Sequence, residues 1–256
     1  MGAHRRERPA AADPEVPPEH TTAPLPVPAA PAPARAIGPV GRRLAVTGLV
    51  VGSVLNTAEA ALLQFLPERP EALADQLALV GEHAGVFTTR LVTGTLAIPF
   101  MAIAFLAAAG LLATRMRRTA YAAGALLLAG MWGFVGIHLM GYLQLPASQA
   151  GDPDAAAALL YAAEAHPVFL ALFLAPFLLG TTLGMVTLTV GMLRSGVVAR
   201  WIPAVWLAFI VLDFSVGAVG PVDPHWLWLA GALGLAVHIA RGGDVARSGE
   251  RRGLTS

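Results

Sequence analysis

Apolar positions fall into six long runs separated by short polar segments, and these runs dominate the chain between residues 42 and 241. A helix needs about 20 predominantly apolar residues to cross a bilayer, and most of these runs reach that length. The pattern therefore predicts an all-α fold, a polytopic membrane helix bundle with six transmembrane helices. The predicted spans are residues 44–65, 91–114, 120–145, 167–193, 201–219 and 226–240.

Two of the polar connections carry helical patterns of their own. Segment 68–89 is acidic and contains ALADQLALV, which predicts a short helix lying at the membrane interface. Segment 147–166 is rich in alanine, and Asp152 or Asp154 is placed to cap the first turn of a short helix. We therefore expect two small helices outside the spans.

Proline and glycine modify the predicted spans. Pro99 and Pro176 each lie inside a span, where proline removes a backbone hydrogen bond and kinks the helix. The third span is rich in glycine, which lets a neighbouring helix approach closely. Its glycines are Gly124, Gly130, Gly133, Gly136 and Gly141.

The charges divide between the two sides of this bundle. Residues 1–41 hold ten of the 20 prolines and predict a disordered, Pro/Ala-rich cytoplasmic tail, while residues 242–256 form an Arg-rich tail. Fifteen arginines fall on the side of the termini, eleven of them from Arg42 onwards, and only Arg69 and Arg90 fall on the other side. By the positive-inside rule, both termini are predicted to be cytoplasmic in a multi-pass protein of the cell membrane.

Composition restricts the available chemistry. Hydrophobic residues make up 56% of the chain and charged residues 13%, about half the charged fraction usual in soluble proteins. There is no cysteine, which excludes disulfides, thiolate nucleophiles and iron–sulfur ligation. Metal-binding spacings and phosphate- or dinucleotide-binding motifs are also absent, so we predict no metal and no cofactor. The arginines lie in loops as topology signals, and nucleic-acid binding has no support.

Polar residues inside the spans are the candidate functional residues. Glu59, His138 and Asp213 are predicted to lie at similar depth in the outer half of the bilayer, with Asn56 one turn before Glu59. Structural roles stay open for each of the three. Glu59 could be neutral and bonded to Asn56, Asp213 could be an interfacial carboxylate, and His138 could join two helices by a hydrogen bond.

Two intramembrane carboxylates favour an acid-catalysed reaction on a lipophilic small-molecule substrate. In this hypothesis Glu59 and Asp213 are the acid and its partner, and His138 or Asn56 orients them. Aromatic rings could stabilise a carbocation through their π faces. The candidates are Phe65, Phe100, Trp132, Phe134, Tyr142, Trp206, Phe209 and Phe214. The alternative is a proton- or solute-coupled transporter, or a non-catalytic accessory subunit in contact with membrane lipids.

Two resemblances bear on these hypotheses. The six Arg-bounded spans, with TVGMLRSGVVARWIPAVW between spans four and five, resemble the uncharacterised small multi-pass membrane proteins of high-GC Gram-positive bacteria. Glu59 in NTAEA and Asp213 in LDFSV resemble the early Glu and late Asp of the integral-membrane terpene cyclases. The second resemblance implies a cyclase, isomerase or lyase activity on an isoprenoid substrate, with the two acids protonating it.

Overall fold

The computed structural model describes residues 39–215 and 223–253, with side chains from 40 to 242 within those ranges. Every regular element in these residues is helical. Each of the six predicted apolar runs overlaps one helix of the structure, although the bounds differ by several residues. The helices are α1 (Pro39–Leu63), α2 (Leu73–Glu82), α3 (Ala84–Ala113), α4 (Arg117–Ala147), α5 (Pro153–Glu164), α6 (Pro167–Ser195), α7 (Trp201–Ser215) and α8 (His225–Gly253). Of the tail predicted over residues 1–41, residues 1–38 lie outside the described residues and residues 39–41 are the start of α1; the end of the fifth span, 216–219, also lies outside the described residues.

Within the part of the chain that the structure describes, four helices are long and apolar enough to cross a membrane, as an integral membrane protein requires: α1, α3, α4 and α6. Helix α7 is equally apolar but has 15 residues. Helix α8 runs from an apolar first half into the Arg-rich segment, and its backbone stays helical to Gly253. The predicted sixth span, 226–240, is therefore the first part of a longer helix.

The six long helices pack as a closed ring in the order α1, α3, α4, α6, α7, α8 and back to α1. Glycines set the closest approaches. The α-carbon of Gly52 in α1 faces the backbone of Phe100 and Met101 in α3 so closely that a methyl group would not fit. Gly130 and Gly133 of α4 do the same against α6, which confirms the close packing predicted for the third span.

Helix α6 departs from regular α-geometry in its first half. Two π-helical stretches, Leu170–Leu174 and Pro176–Gly180, lie on either side of Ala175, where the sequence predicts a kink at Pro176. Proline cannot donate a backbone hydrogen bond, and a wider helical turn accommodates its ring. The hydroxyl of Thr181 donates to the carbonyl of Phe177 and so satisfies an acceptor in the second stretch.

The two short helices cover one end of the bundle, which we call the α2/α5 end. Helix α5 begins at the predicted cap, because an Asp152 carboxylate oxygen accepts the Ala155 N–H at 3.0 Å. Helices α2 and α5 pack on α4 through Leu77, Met140 and Leu160. At this end α1 and α4 finish and α3 and α6 start.

Candidate functional site

Three ionisable side chains from three helices meet beneath the α2/α5 end, and we call them the floor cluster: Glu59 of α1, Arg90 of α3 and His138 of α4. Glu59 Oε1 lies 3.2 Å from His138 Nε2 and 3.4 Å from Arg90 Nη2. The side chains of Glu59 and His138 are 8% and 3% exposed, and that of Arg90 is 24% exposed. Charges this deeply buried require mutual compensation, which the arrangement supplies.

Gly94 makes room for the floor cluster. It lies one turn of α3 beyond Arg90, and a Cβ at this position would overlap the carboxylate of Glu59 and Nε2 of His138. No other residue type leaves that space. Helices α1 and α3 therefore lie close enough for the carboxylate of Glu59 on α1 to reach both Arg90 on α3 and His138 on α4.

The imidazole of His138 is held by its own helix and by a stack of rings. Its Nδ1 lies 3.0 Å from the carbonyl of Phe134, and because a carbonyl only accepts, Nδ1 carries a proton. The Phe134 ring meets the imidazole edge to face at 4.4 Å and stacks on Phe177 at 5.1 Å. Nε2 is left to face Glu59.

The contacts inside the floor cluster are not complete hydrogen bonds. Among the described residues, His138 Nε2 and Arg90 Nε are buried side-chain nitrogens without a hydrogen-bond partner. Such groups are uncommon in folded proteins, and each costs free energy when left unmatched. The floor cluster therefore has hydrogen-bonding capacity that the described part of the chain does not use.

A cavity of about 710 Å³ opens directly above the floor cluster. Its volume falls in the range of roughly 300–1,000 Å³ that is usual for small-molecule sites. The walls are mostly apolar and come from α1, α2, α3, α4 and α6. They include Leu63, Val80, Phe87, Leu91, Phe134, Ile137, Phe169 and Leu174. Exposed polar residues, Glu68 and Arg69 among them, line its outer part.

The structure brings together two of the four predicted site residues. Glu59 and His138 are neighbours in the cavity, whereas Asn56 is buried on α1 and is not part of the cavity lining. Asp213 of α7 is also outside the lining; its side chain is 33% exposed and lies 3.9 Å from Nδ1 of His225. Of the predicted aromatic residues, Phe134 lines the cavity.

Arg90 and Gly94 are the site residues that sequence reasoning did not assign. Arg90 is at the edge of a predicted span, where an arginine is expected as a topology signal. A partial signal was present, since Arg90 directly precedes an apolar run and stands at the outer end of that predicted span, on the side of the bilayer where the outer-half acids are predicted to lie. Gly94 gives no signal of its own, because its role depends on which helix packs beside it.

Metal binding has no support in this arrangement. Among the residues whose side chains the structure describes, 40–215 and 223–242, no three His, Asp or Glu are grouped closely enough to hold a metal ion. His166, another histidine near this end, accepts the Val168 N–H through Nδ1 at 3.2 Å and starts α6. The chemistry of the cavity is therefore that of a carboxylate, an imidazole and a guanidinium.

Comparison with protein-family models, with curated proteins and with solved structures gives no match. The class supported by the fold is an all-helical membrane protein, and its function is argued from the cavity.

Proposed function

We propose that this protein is a membrane enzyme that performs acid–base chemistry on a lipophilic, isoprenoid-sized substrate bound in the cavity above the floor cluster. The observation that carries the proposal is the buried Glu59–His138 contact at the base of an apolar-walled cavity. A carboxylate and an imidazole 3.2 Å apart can share one proton and exchange it with a bound molecule. Isomerisation or cyclisation needs such an exchange with no net change in protons.

The proposed roles differ from the sequence hypothesis in the partner of Glu59. His138 takes the place that Asp213 was expected to fill, because His138 touches Glu59 and Asp213 does not line the cavity. Arg90 compensates the negative charge of Glu59 across 3.4 Å, in surroundings where an uncompensated charge is expensive. Phe87, Phe134 and Phe169 present rings to the substrate.

We further propose that all six long helices cross the cell membrane, with both termini cytoplasmic and the α2/α5 end facing out. The closed ring supports this, since α7 and α8 complete the same layer as the four longer helices. The absence of cysteine gives a clean test. Ala150→Cys, in the α4–α5 turn, should react with a membrane-impermeant maleimide in whole cells, and Ala199→Cys, in the α6–α7 turn, only after lysis. The reverse labelling pattern would invert the topology.

A transporter remains the competing class, and one observation weighs against it. Beneath the floor cluster, α1 and α3 are in backbone contact at Gly48 and Gly52, with no room for a side chain between them. The cavity thus ends at the floor cluster instead of continuing through the bundle. Solute-dependent proton flux in proteoliposomes that is lost in the Glu59→Gln variant would favour transport over catalysis.

The experiment that tests catalysis compares lipid extracts by mass spectrometry. Cells supplied with prenylated precursors would express the wild type, Glu59→Gln, or the control Glu82→Gln, which changes an exposed carboxylate on α2 outside the cavity. We expect a product in the wild type and control, and about 10²–10⁴-fold less in Glu59→Gln at equal membrane abundance. Indistinguishable extracts from all three would remove the enzyme proposal.

A further inference from the structure

Among the described residues, one donor and one acceptor of the floor cluster are left without a hydrogen-bond partner. A guanidinium has five N–H donors, and the charge contact of Arg90 within the described residues is the one to Glu59 at 3.4 Å. The Nε–H of Arg90 is a donor without an acceptor, and Nε2 of His138, whose side chain is 3% exposed, is an acceptor without a donor because the ring proton is on Nδ1. A ligand that supplies an oxygen acceptor to Arg90 and a proton to Nε2 of His138 would match both nitrogens.

The charges of the floor cluster specify how much negative charge such a ligand can carry. With a neutral His138, the Arg90 guanidinium and the Glu59 carboxylate cancel. If His138 is protonated, the floor cluster has one positive charge in excess, which matches one negative charge on the ligand. A phosphate monoester, with about 1.5–2 negative charges, would leave charge uncompensated at low dielectric.

The proton has a defined destination. Nδ1 of His138 already carries a proton, which it donates to the Phe134 carbonyl. A second proton can therefore be accepted at Nε2, and the new N–H would face Glu59 Oε1 across 3.2 Å. Glu59 would then pair with His138, and Arg90 would become available to a ligand oxyanion.

We propose that the ligand is a long-chain carboxylic acid that enters the cavity from the bilayer in its neutral form. The acid O–H bond breaks and an N–H bond forms at Nε2 of His138, so that one proton is moved and none is lost. The product is two neutral ion pairs: the ligand carboxylate with Arg90, in the bidentate geometry that guanidinium favours, and His138 with Glu59. This inference rests on the proposed function only in placing the ligand in the same cavity.

The walls of the cavity suit the remainder of such a molecule. Leu63 and Leu66 of the α1 end, Phe87 and Leu91 of α3 and Ile137 of α4 line the space between the floor cluster and the polar outer part. An alkyl or isoprenoid chain placed there is removed from water on all these sides. Binding with the acid group at the base and the chain above it satisfies both regions at once.

The test is competition binding on purified full-length protein in detergent. Tritiated palmitic acid would be displaced by palmitic acid, hexadecanol or methyl palmitate. Palmitic acid labelled with ¹³C at the carboxyl carbon would report its ionisation state by NMR. For the wild type we expect the acid to bind at least about tenfold more tightly than the alcohol or the ester, and to be bound as the carboxylate. Equal binding of all three, or a bound acid that keeps its proton, would overturn the inference.

Two variants assign the preference to Arg90. Arg90→Gln should reduce the ratio of acid to alcohol affinity to about one, while Arg115→Gln, which removes the same charge from the exposed α3–α4 turn, should leave it unchanged. If both variants lost the preference for the acid equally, the assignment of that preference to Arg90 would be wrong. If Arg90→Gln fails to insert, the wild-type comparison of the three ligands still decides.

The outcomes separate this inference from the proposed function. Acid-selective binding without any product that depends on Glu59 would leave a fatty-acid-binding site and remove the enzyme. A Glu59-dependent product together with equal binding of acid and alcohol would retain the enzyme and remove the carboxylic acid as its ligand class.

Discussion

Two clusters of acidic and basic side chains lie on either side of α1 at the α2/α5 end, and they are built differently. The floor cluster contacts α1 through Glu59. The second, which we call the α7/α8 cluster, consists of Asp213, Asp223 and His225, and reaches α1 through the hydroxyl of Thr57, which donates to the His225 carbonyl at 3.1 Å. Each pairs a histidine with a carboxylate; the floor cluster adds an arginine, and the α7/α8 cluster adds a second carboxylate.

The α7/α8 cluster uses its hydrogen bonds within itself. One Asp223 oxygen accepts both the backbone N–H of His225 at 2.8 Å and the Nδ1 proton at 2.7 Å, and so fixes the start of α8. The imidazole also packs on the Phe209 ring at 5.2 Å. In the floor cluster the corresponding distances are 3.2 and 3.4 Å, and two nitrogens have no partner. Satisfied bonds indicate a structural joint, and unsatisfied ones at the base of a cavity indicate a binding site.

Among the variants that test this difference between the two clusters, Gly94→Ala is expected to have the largest effect on product formation. The added methyl group would overlap the Glu59 carboxylate and Nε2 of His138, forcing both away from their contact. A displacement of about 1 Å in a reactive group can cost 10²-fold in rate, and we expect a loss of that order in product formation. Product yield per unit of protein in the membrane, measured as for Glu59→Gln, checks it.

The matched control is Gly110→Ala on the same helix. A Cβ at Gly110 would have no atom within 4 Å, so this change alters helix propensity without touching a neighbour. We expect normal yield and an unchanged or slightly higher melting temperature. If the two alanine variants behaved alike, the contact between Gly94 and the floor cluster would have no bearing on activity.

The helices were predictable from sequence because hydropathy and capping are local properties. The six apolar runs coincide with helices, α2 and α5 lie in the two polar connections, and Asp152 is the cap of α5. The extension of α8 to Gly253 was not predicted, because the Arg-rich segment has no apolar pattern, although arginine is a good helix former. Pro176 predicted a kink but not the π-helical form that the helix takes on either side of Ala175.

The site was only half predictable from sequence. The depth of a residue along its helix can be counted from the sequence, but the order in which the helices neighbour each other around the bundle cannot. Glu59 and His138 were selected by depth and do meet. Asp213 satisfies the same criterion, yet α7 is on the far side of α1 from the cavity, so its carboxylate lies beside His225. Which helices neighbour each other is decided by glycine contacts such as Gly52 against Phe100, and single-sequence periodicity does not specify that pairing.

The smallest effect is expected from Asp213→Asn, and this is the change that most directly compares the two clusters. Asp213 is 33% exposed and 3.9 Å from His225, which keeps its hydrogen bonds to Asp223 when the charge on residue 213 is removed. Partly exposed ion pairs contribute about 0–1 kcal/mol, so we expect a change in unfolding free energy below about 1 kcal/mol. Product yield should stay within about twofold of wild type, against the 10²-fold or greater loss for Glu59→Gln. A loss as large as that of Glu59→Gln would return Asp213 to the catalytic site and require α7 to approach the cavity during the reaction, because Asp213 does not line the cavity in the described arrangement.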